Sequence, residues 1–170
     1  NNLVQINNPI DTIVAAGLTG SGTIEKDGAG VLTLAGAGSM TGGNVDVFNG
    51  TLRLSGTNNL GAGPVVNLIG ASSTLELNSN SLTSFSNDVT GIGRLIKTGA
   101  GTVLVSGTNS YAGGTDIQQG ALRVTDVNFL GTGPITVQAG AALDLSIFGQ
   151  QTLNQSITGA GLLRKSDSGD

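Results

Sequence analysis

The chain has 170 residues, 29 of them glycine and only 3 proline, with 11% charged residues and a formal net charge of −4. Glycine stands far above the usual roughly 7% and charge far below the usual roughly 25%, yet 38% of residues are apolar and alternate with small polar ones, which disordered chains do not do. With no cysteine, no histidine and seven scattered basic residues, the composition excludes a disulfide framework, thiolate metal sites, Ser–His and Cys–His nucleophiles, and the basic footprint of a nucleic-acid or anionic-membrane binder.

Taken in order, residues 1–18 read as the end of a preceding repeat, with Leu3-Val4-Gln5-Ile6 and Thr12-Ile13-Val14 as short strands. Repeat 1 spans 19–89 and opens TGSGTIEKDGAGVLTLAGAGSMTGGN; repeat 2 spans 90–157 and opens TGIGRLIKTGAGTVLVSGTNSYAGGT. A truncated repeat 3 occupies 158–170 and begins TGAGLLRK. Gly20, Gly91 and Gly159 correspond, as do Lys26, Lys97 and Lys165; further on, Leu52-Arg53-Leu54 recurs as Leu122-Arg123-Val124, and Leu60-Gly61 with Pro64 recurs as Leu130-Gly131 with Pro134. A period of about 70 residues signals a solenoid, a propeller or an array. No apolar run reaches the roughly 18 residues of a membrane-spanning helix. Asn1 opens no signal peptide, so the chain is expected to be an excised segment whose targeting sequences lie elsewhere.

Inside each repeat the hydrophobic period is two. Leu32-Thr33-Leu34, Val45-Asp46-Val47, Leu75-Glu76-Leu77, Val103-Leu104-Val105, Ile135-Thr136-Val137 and Leu143-Asp144-Leu145 are short apolar–polar alternations bounded by glycine. That is the pattern of half-buried strands, and no stretch has helical periodicity. The reading is all-β. A propeller blade usually shows an aromatic mark, whereas this chain has no Trp and only 3% aromatics. A sandwich does not explain the repeat, so a β-solenoid remains, with about three rungs per repeat and about seven rungs in all. Leu32, Leu34, Leu52, Leu54, Leu75 and Leu77 are then expected to stack inward.

The run Gly93-Arg94-Leu95-Ile96-Lys97-Thr98-Gly99-Ala100-Gly101-Thr102-Val103-Leu104-Val105-Ser106-Gly107, continued by Asn109, Tyr111, Gly113-Gly114-Thr115 and Gly120-Ala121-Leu122, resembles the passenger-associated transport repeat, also called the autotransporter-associated β-strand repeat. Repeat 1 keeps Lys26, Gly28 and Gly30 but has Gly38 for Asn and Met40 for Tyr; repeat 3 keeps Lys165 and then diverges. The resemblance implies a right-handed parallel β-helix in the passenger of a type V autotransporter adhesin. It further implies display on the bacterial cell surface through a C-terminal outer-membrane β-barrel outside this chain. Implied roles are a stalk or adhesive rod and support of secretion and folding, with a host-cell-surface or extracellular-matrix component as partner and no enzyme activity. No nucleic-acid partner, no membrane insertion of this segment and no cofactor are expected. The alternatives are a carbohydrate-active β-helix of lyase or depolymerase type, and a pure spacer.

The residues propose no catalytic, cofactor or metal site, and leave ligand-binding residues unknown. Glu25 and Asp27 share a strand face as paired carboxylates would, but the turn glycine beside them reads as a solvated corner. Asp46 with Arg53, and Asp116 with Arg123, are expected to form outward ion pairs worth under about 1 kcal/mol. Glu76 and Asp144 are expected singly on solvated faces. Lys26, Lys97 and Lys165 fall at inward phases, and each is expected to pack its stem and keep its ammonium in solvent. Asp167-Ser168-Gly169-Asp170 is a faint echo of a calcium loop without its remaining ligands.

Overall fold

The computed structural model describes residues 2–56 and 60–166; the Asp167–Asp170 echo lies outside them. The chain folds as a right-handed parallel β-helix of about eight turns. Side one holds β1 (Leu3–Asn7), β4 (Thr23–Asp27), β7 (Asn44–Val47), β9 (Val65–Leu68) and β12 (Val89–Gly91). Side two is the eight-stranded sheet of β2 (Thr12–Val14), β5 (Val31–Leu34), β8 (Thr51–Ser55), β10 (Thr74–Asn78), β13 (Arg94–Thr98), β15 (Thr115–Ile117), β17 (Ile135–Val137) and β19 (Ile157–Gly159). Side three begins with β3 (Thr19–Gly20) and β6 (Ser39–Met40). It continues higher up with β11 (Thr83–Phe85), β14 (Thr102–Val105), β16 (Ala121–Val124), β18 (Ala142–Leu145) and β20 (Leu162–Lys165).

Partners lie one turn apart, from 19 residues (Thr102 with Ala121) to 23 (Thr51 with Thr74). Eight turns at roughly 4.8 Å make a rod about 35–40 Å long. Alternation does what the sequence predicts: Leu32, Leu52, Leu75 and Leu95 stack in one inward column, and Leu34, Leu54 and Leu77 in another. These leucines are at most 4% exposed, each worth roughly 1.5–3 kcal/mol of burial. Above β12, side one loses its regular ladder. Val89 forms an isolated bridge with Asn109, and a short 3-10 turn (Val127–Leu130) stands one turn further up.

The repeat does not coincide with a whole number of turns. From β4 to its sequence equivalent β13 the chain passes ten straight segments (β5 and β6, β7 and β8, the segment at Leu60, then β9 to β13). With three sides to a turn, ten segments are three turns and one side. The expected figure of about three rungs is thereby refined to three and one third. Each repeat restarts one side round: β4 is on side one, β13 on side two and β20 on side three.

Candidate functional site

The lysines shared by the repeats are the first feature that the bare β-helix does not require. Lys26 replaces an aliphatic residue in the inward column Ile6–Lys26–Val47–Leu68, and Lys97 does the same between Leu77 and Ile117. Both side chains are 0% exposed. The Lys26 Nζ donates to the carbonyls of Gly28 (2.8 Å), Asn49 (2.9 Å) and Asp27 (3.4 Å). The Lys97 Nζ donates to Thr98 (2.7 Å), Gly99 (2.7 Å) and Gln119 (3.2 Å).

In each case two acceptors belong to the lysine's own corner and the third to the corner one turn above. An ammonium has three donors, and all three are used. The expected solvent-facing ammonium is therefore corrected: the corner carbonyls replace water, so the charge stays inside. Gly28 (φ +84°) and Gly99 (φ +77°) permit this corner, because their left-handed backbone turns the carbonyls inward. Burial pushes the Lys97 ammonium down to about 8, and lowers Lys26 as well, there opposed by the Asp27 carboxylate. Lys165 stands above Leu145 on the exposed strand β20.

A second shared device spans three turns on the outside. Arg53 Nε donates to Glu76 Oε2 (2.9 Å), and Glu76 Oε1 accepts from Thr98 Oγ1 (2.6 Å). One repeat on, Arg123 Nε donates to Asp144 Oδ2 (2.9 Å), and Asp144 Oδ1 accepts from Ser166 Oγ (2.6 Å). The acids are buried, Glu76 at 7% exposed and Asp144 at 2%. Burial alone would raise the Asp144 carboxyl, but bonds from Ser166 and Arg123, with the charges of Arg123 and Arg164, hold it below the usual carboxylate value.

Two expectations are corrected here. Glu76 and Asp144 are not solvated singles. Nor do Asp46 and Asp116 pair with the arginines, because a corner separates β7 from β8 and β15 from β16 and puts each couple on different sides. Asp46 instead accepts from Asn67 Nδ2 (2.6 Å), and Asp116 from the side chains of Gln118 (2.8 Å) and Gln138 (3.0 Å).

The motif's Asn and Tyr also act inside the rod. Asn109 takes the place of a strand, accepting from Val89 N (2.9 Å) and donating to Phe129 O (2.7 Å) in the turns below and above. Tyr111 is 1% exposed and shares a hydrogen bond with Thr115 Oγ1 (2.8 Å). A Cβ on Gly131 would come within 2.8 Å of its ring. Burial raises the phenol to about 12 against the opposing bond to Thr115. Two amides escaped the sequence reading. Asn87 Nδ2 donates to Gly61 O and Pro64 O (both 2.9 Å), and Gln155 Nε2 donates to Gly131 O, the equivalent glycine. Their shared phase within the repeats is the signal that could have found them.

Glu25 and Asp27 do share the outer surface of side one. Glu25 accepts from Gln5 Nε2 (2.7 Å), and Asp27 from Asn49 Nδ2 and Gly28 N (both 2.8 Å). The bond from Asn49 first, and then that from Gly28, lower the Asp27 carboxyl. Among the described residues no group of three or more acids has metal-binding geometry, and no helix is long and apolar enough to cross a membrane.

A model of the family described as passenger-associated-transport-repeat matches residues 24–47 and 95–124, the two stretches that hold the buried lysines. The adhesin BmaC autotransporter of Brucella suis biovar 1 (strain 1330) is 33% identical over 152 residues, 86% of this chain and 4% of that protein. An extracellular serine protease of Serratia marcescens is 50% identical over 44 residues, 26% of this chain, and a second protein of that description from the same organism is 56% identical over 39 residues, 23% of this chain. The chain spans 4% of the length of each of these three relatives. No solved structure matches it.

Proposed function

The chain is autotransporter passenger sequence built on passenger-associated transport repeats, and from that premise we propose that it is a non-enzymatic length of a surface-displayed adhesin. It serves as a stiff β-helical rod that supports export and folding of the passenger and takes part in attachment to host cells or matrix. Display would be through an outer-membrane β-barrel carried elsewhere in the polypeptide.

One observation supports the scaffold part of this reading above the others. The residues that recur with the repeat bond corner to corner or turn to turn, and they move one side round at each repeat. A motif that rotates this way cannot build one continuous binding stripe, but it can staple successive turns wherever it falls. Stability of such a stack is a sum over neighbouring turns. The relatives agree with a shared scaffold, since sequence similar to this chain occurs both in a protein named an adhesin and in proteins named serine proteases. A Ser–His–Asp protease needs an imidazole base, and this chain has no histidine. The longest similarity, over 86% of the chain, is to the adhesin.

The test is binding of the purified chain, shown folded by circular dichroism, to arrays of matrix proteins, host-cell surfaces and glycans. Saturable binding to a matrix or cell-surface component is the expected result. A flat response from the folded chain would reduce it to spacer.

A further inference from the structure

The second repeat is an internal control for what the fold needs on its surface. On side one, Phe48, Ile69 and Ile92 follow β7, β9 and β12 and point outward in successive turns. They are 36%, 42% and 56% exposed. Phe48 N donates to Lys26 O, Ile69 N to Val47 O and Ile92 N to Leu68 O, so the three stand in one column. In the second repeat the same backbone bonds are made by Gln118 to Lys97 O and Gln138 to Ile117 O. Ala160, after Gly159, takes the place of Ile92 after Gly91. The fold therefore accepts glutamine and alanine here, and the apolar column on side one answers to something other than stacking.

Its surroundings say what that is. Glu25 and Asp46 face outward beside the column, and the register that sets Lys26 against Val47 brings the next residue, Asp27, one turn below Phe48. A shallow depression at the lower end is lined by Gln5, Asn7, Glu25, Asp27 and Phe48. The three carboxylates are bonded by neutral donors: Gln5, Asn67, Asn49 and Gly28. The outward arginines lie elsewhere, Arg53 and Arg94 on side two, Arg123 and Arg164 on side three. Carboxylates beside an aromatic face suit a guanidinium or ammonium, and Ile69 and Ile92 extend that contact with aliphatic surface.

We propose that the Phe48–Ile69–Ile92 column and its acidic foot form a docking strip for a polypeptide segment carrying arginine or lysine beside aliphatic side chains. The strip rests on the adhesive reading above and gives it a face and a partner chemistry.

The experiment is fluorescence anisotropy of the intact chain with a labelled twelve-residue peptide alternating arginine and isoleucine. Controls are glutamate–isoleucine and arginine–serine peptides and neutral oligosaccharides. The wild-type chain is expected to bind the first peptide at least tenfold more tightly than any control. The triple variant Phe48→Gln, Ile69→Gln, Ile92→Ala, which copies the second repeat and so retains the fold, is expected to weaken binding at least tenfold, as is Glu25→Gln with Asp27→Asn. Equal binding of arginine–serine, preference for the oligosaccharides, or affinity unchanged in both variants overturns the strip. Matrix attachment by the wild type that survives the triple variant overturns it too while leaving the adhesive role standing; no attachment by the wild type fails that role itself.

Discussion

The lower and upper repeats of this rod agree in the bonds that join one turn to the next and differ in the outward column that follows β7, β9 and β12. Lys26 and Lys97 occupy different sides, yet each spends its three donors on two carbonyls of its own corner and one of the corner above. Arg53–Glu76–Thr98 and Arg123–Asp144–Ser166 repeat with nearly the same distances. Phe48 and Ile69, in contrast, face Gln118 and Gln138 in the comparison. What recurs is thus the set of bonds joining one turn to the next. These bonds are indifferent to side, which is why a unit of ten segments can be repeated on a three-sided coil without mismatch.

The strongest way to break the likeness is Lys97→Met. The stem volume is kept, but Gly99 O and Gln119 O lose the ammonium in a closed corner. Each unpaired buried acceptor costs roughly 1–3 kcal/mol, so for the two a loss of about 2–6 kcal/mol at pH 7 is expected in denaturant melts, and Lys26→Met should resemble it.

The pH profile sharpens this. The native Lys97 ammonium releases its proton near pH 8, whereas the unfolded side chain holds it to about 10.5. Between those values the unfolded state binds more protons, so wild-type stability rises with pH. This gain is complete above about pH 10.5 and gone by about pH 8. Lys97→Met lacks that slope, so its deficit should widen on the alkaline side. A deficit independent of pH would mean that the corner carbonyls hold the ammonium at its ordinary value.

Next in size is Asp144→Ala. It strips Arg123 and Ser166 of their shared partner, and because the lost carboxylate is only 2% exposed the expected cost is about 2–3 kcal/mol, more than for an exposed pair. Asp144 is ionised above its lowered pKa, so its contribution is present at neutral pH and disappears as the pH falls through that value. The wild-type advantage over Asp144→Ala should shrink in acid. An unchanged difference at low pH would make the residue's role one of packing alone.

The strands were legible because period two survives in every segment, and the inward leucines followed from phase alone. Phase also placed the lysines inward, but it says nothing of depth. The third acceptor of Lys26 is the Asn49 carbonyl, 23 residues away in the corner one turn above. The arginine partners were missed for the same reason. Asp46 is near Arg53 in sequence but on another side, while Glu76, 23 residues on, is directly above it. Such contacts depend on how many segments make a turn, which alternation does not state. Nor could the outer column be singled out before the second repeat's backbone bonds showed that Gln118 and Gln138 stand where Phe48 and Ile69 do.

The finest comparison is between Tyr111 and Met40, where the repeats diverge inside. Register puts Thr115 on Leu95 and Val45 on Ile24, so the upper repeat has a tyrosine and a threonine at the positions where the lower has a methionine and a valine. The hydroxyls answer each other at 2.8 Å; the thioether and valine need no such partner. Tyr111→Met should cost about 1–1.5 kcal/mol, from the lost bond and from ring volume beside Gly131. Adding Thr115→Val should cost less than it does alone, because the hydroxyl it removes has already lost the phenol. A double-mutant cycle measures this as a coupling of roughly 0.5–1.5 kcal/mol. Zero coupling would show that the two repeats fill this space by volume alone, and that the hydroxyl pair adds nothing to the upper turn.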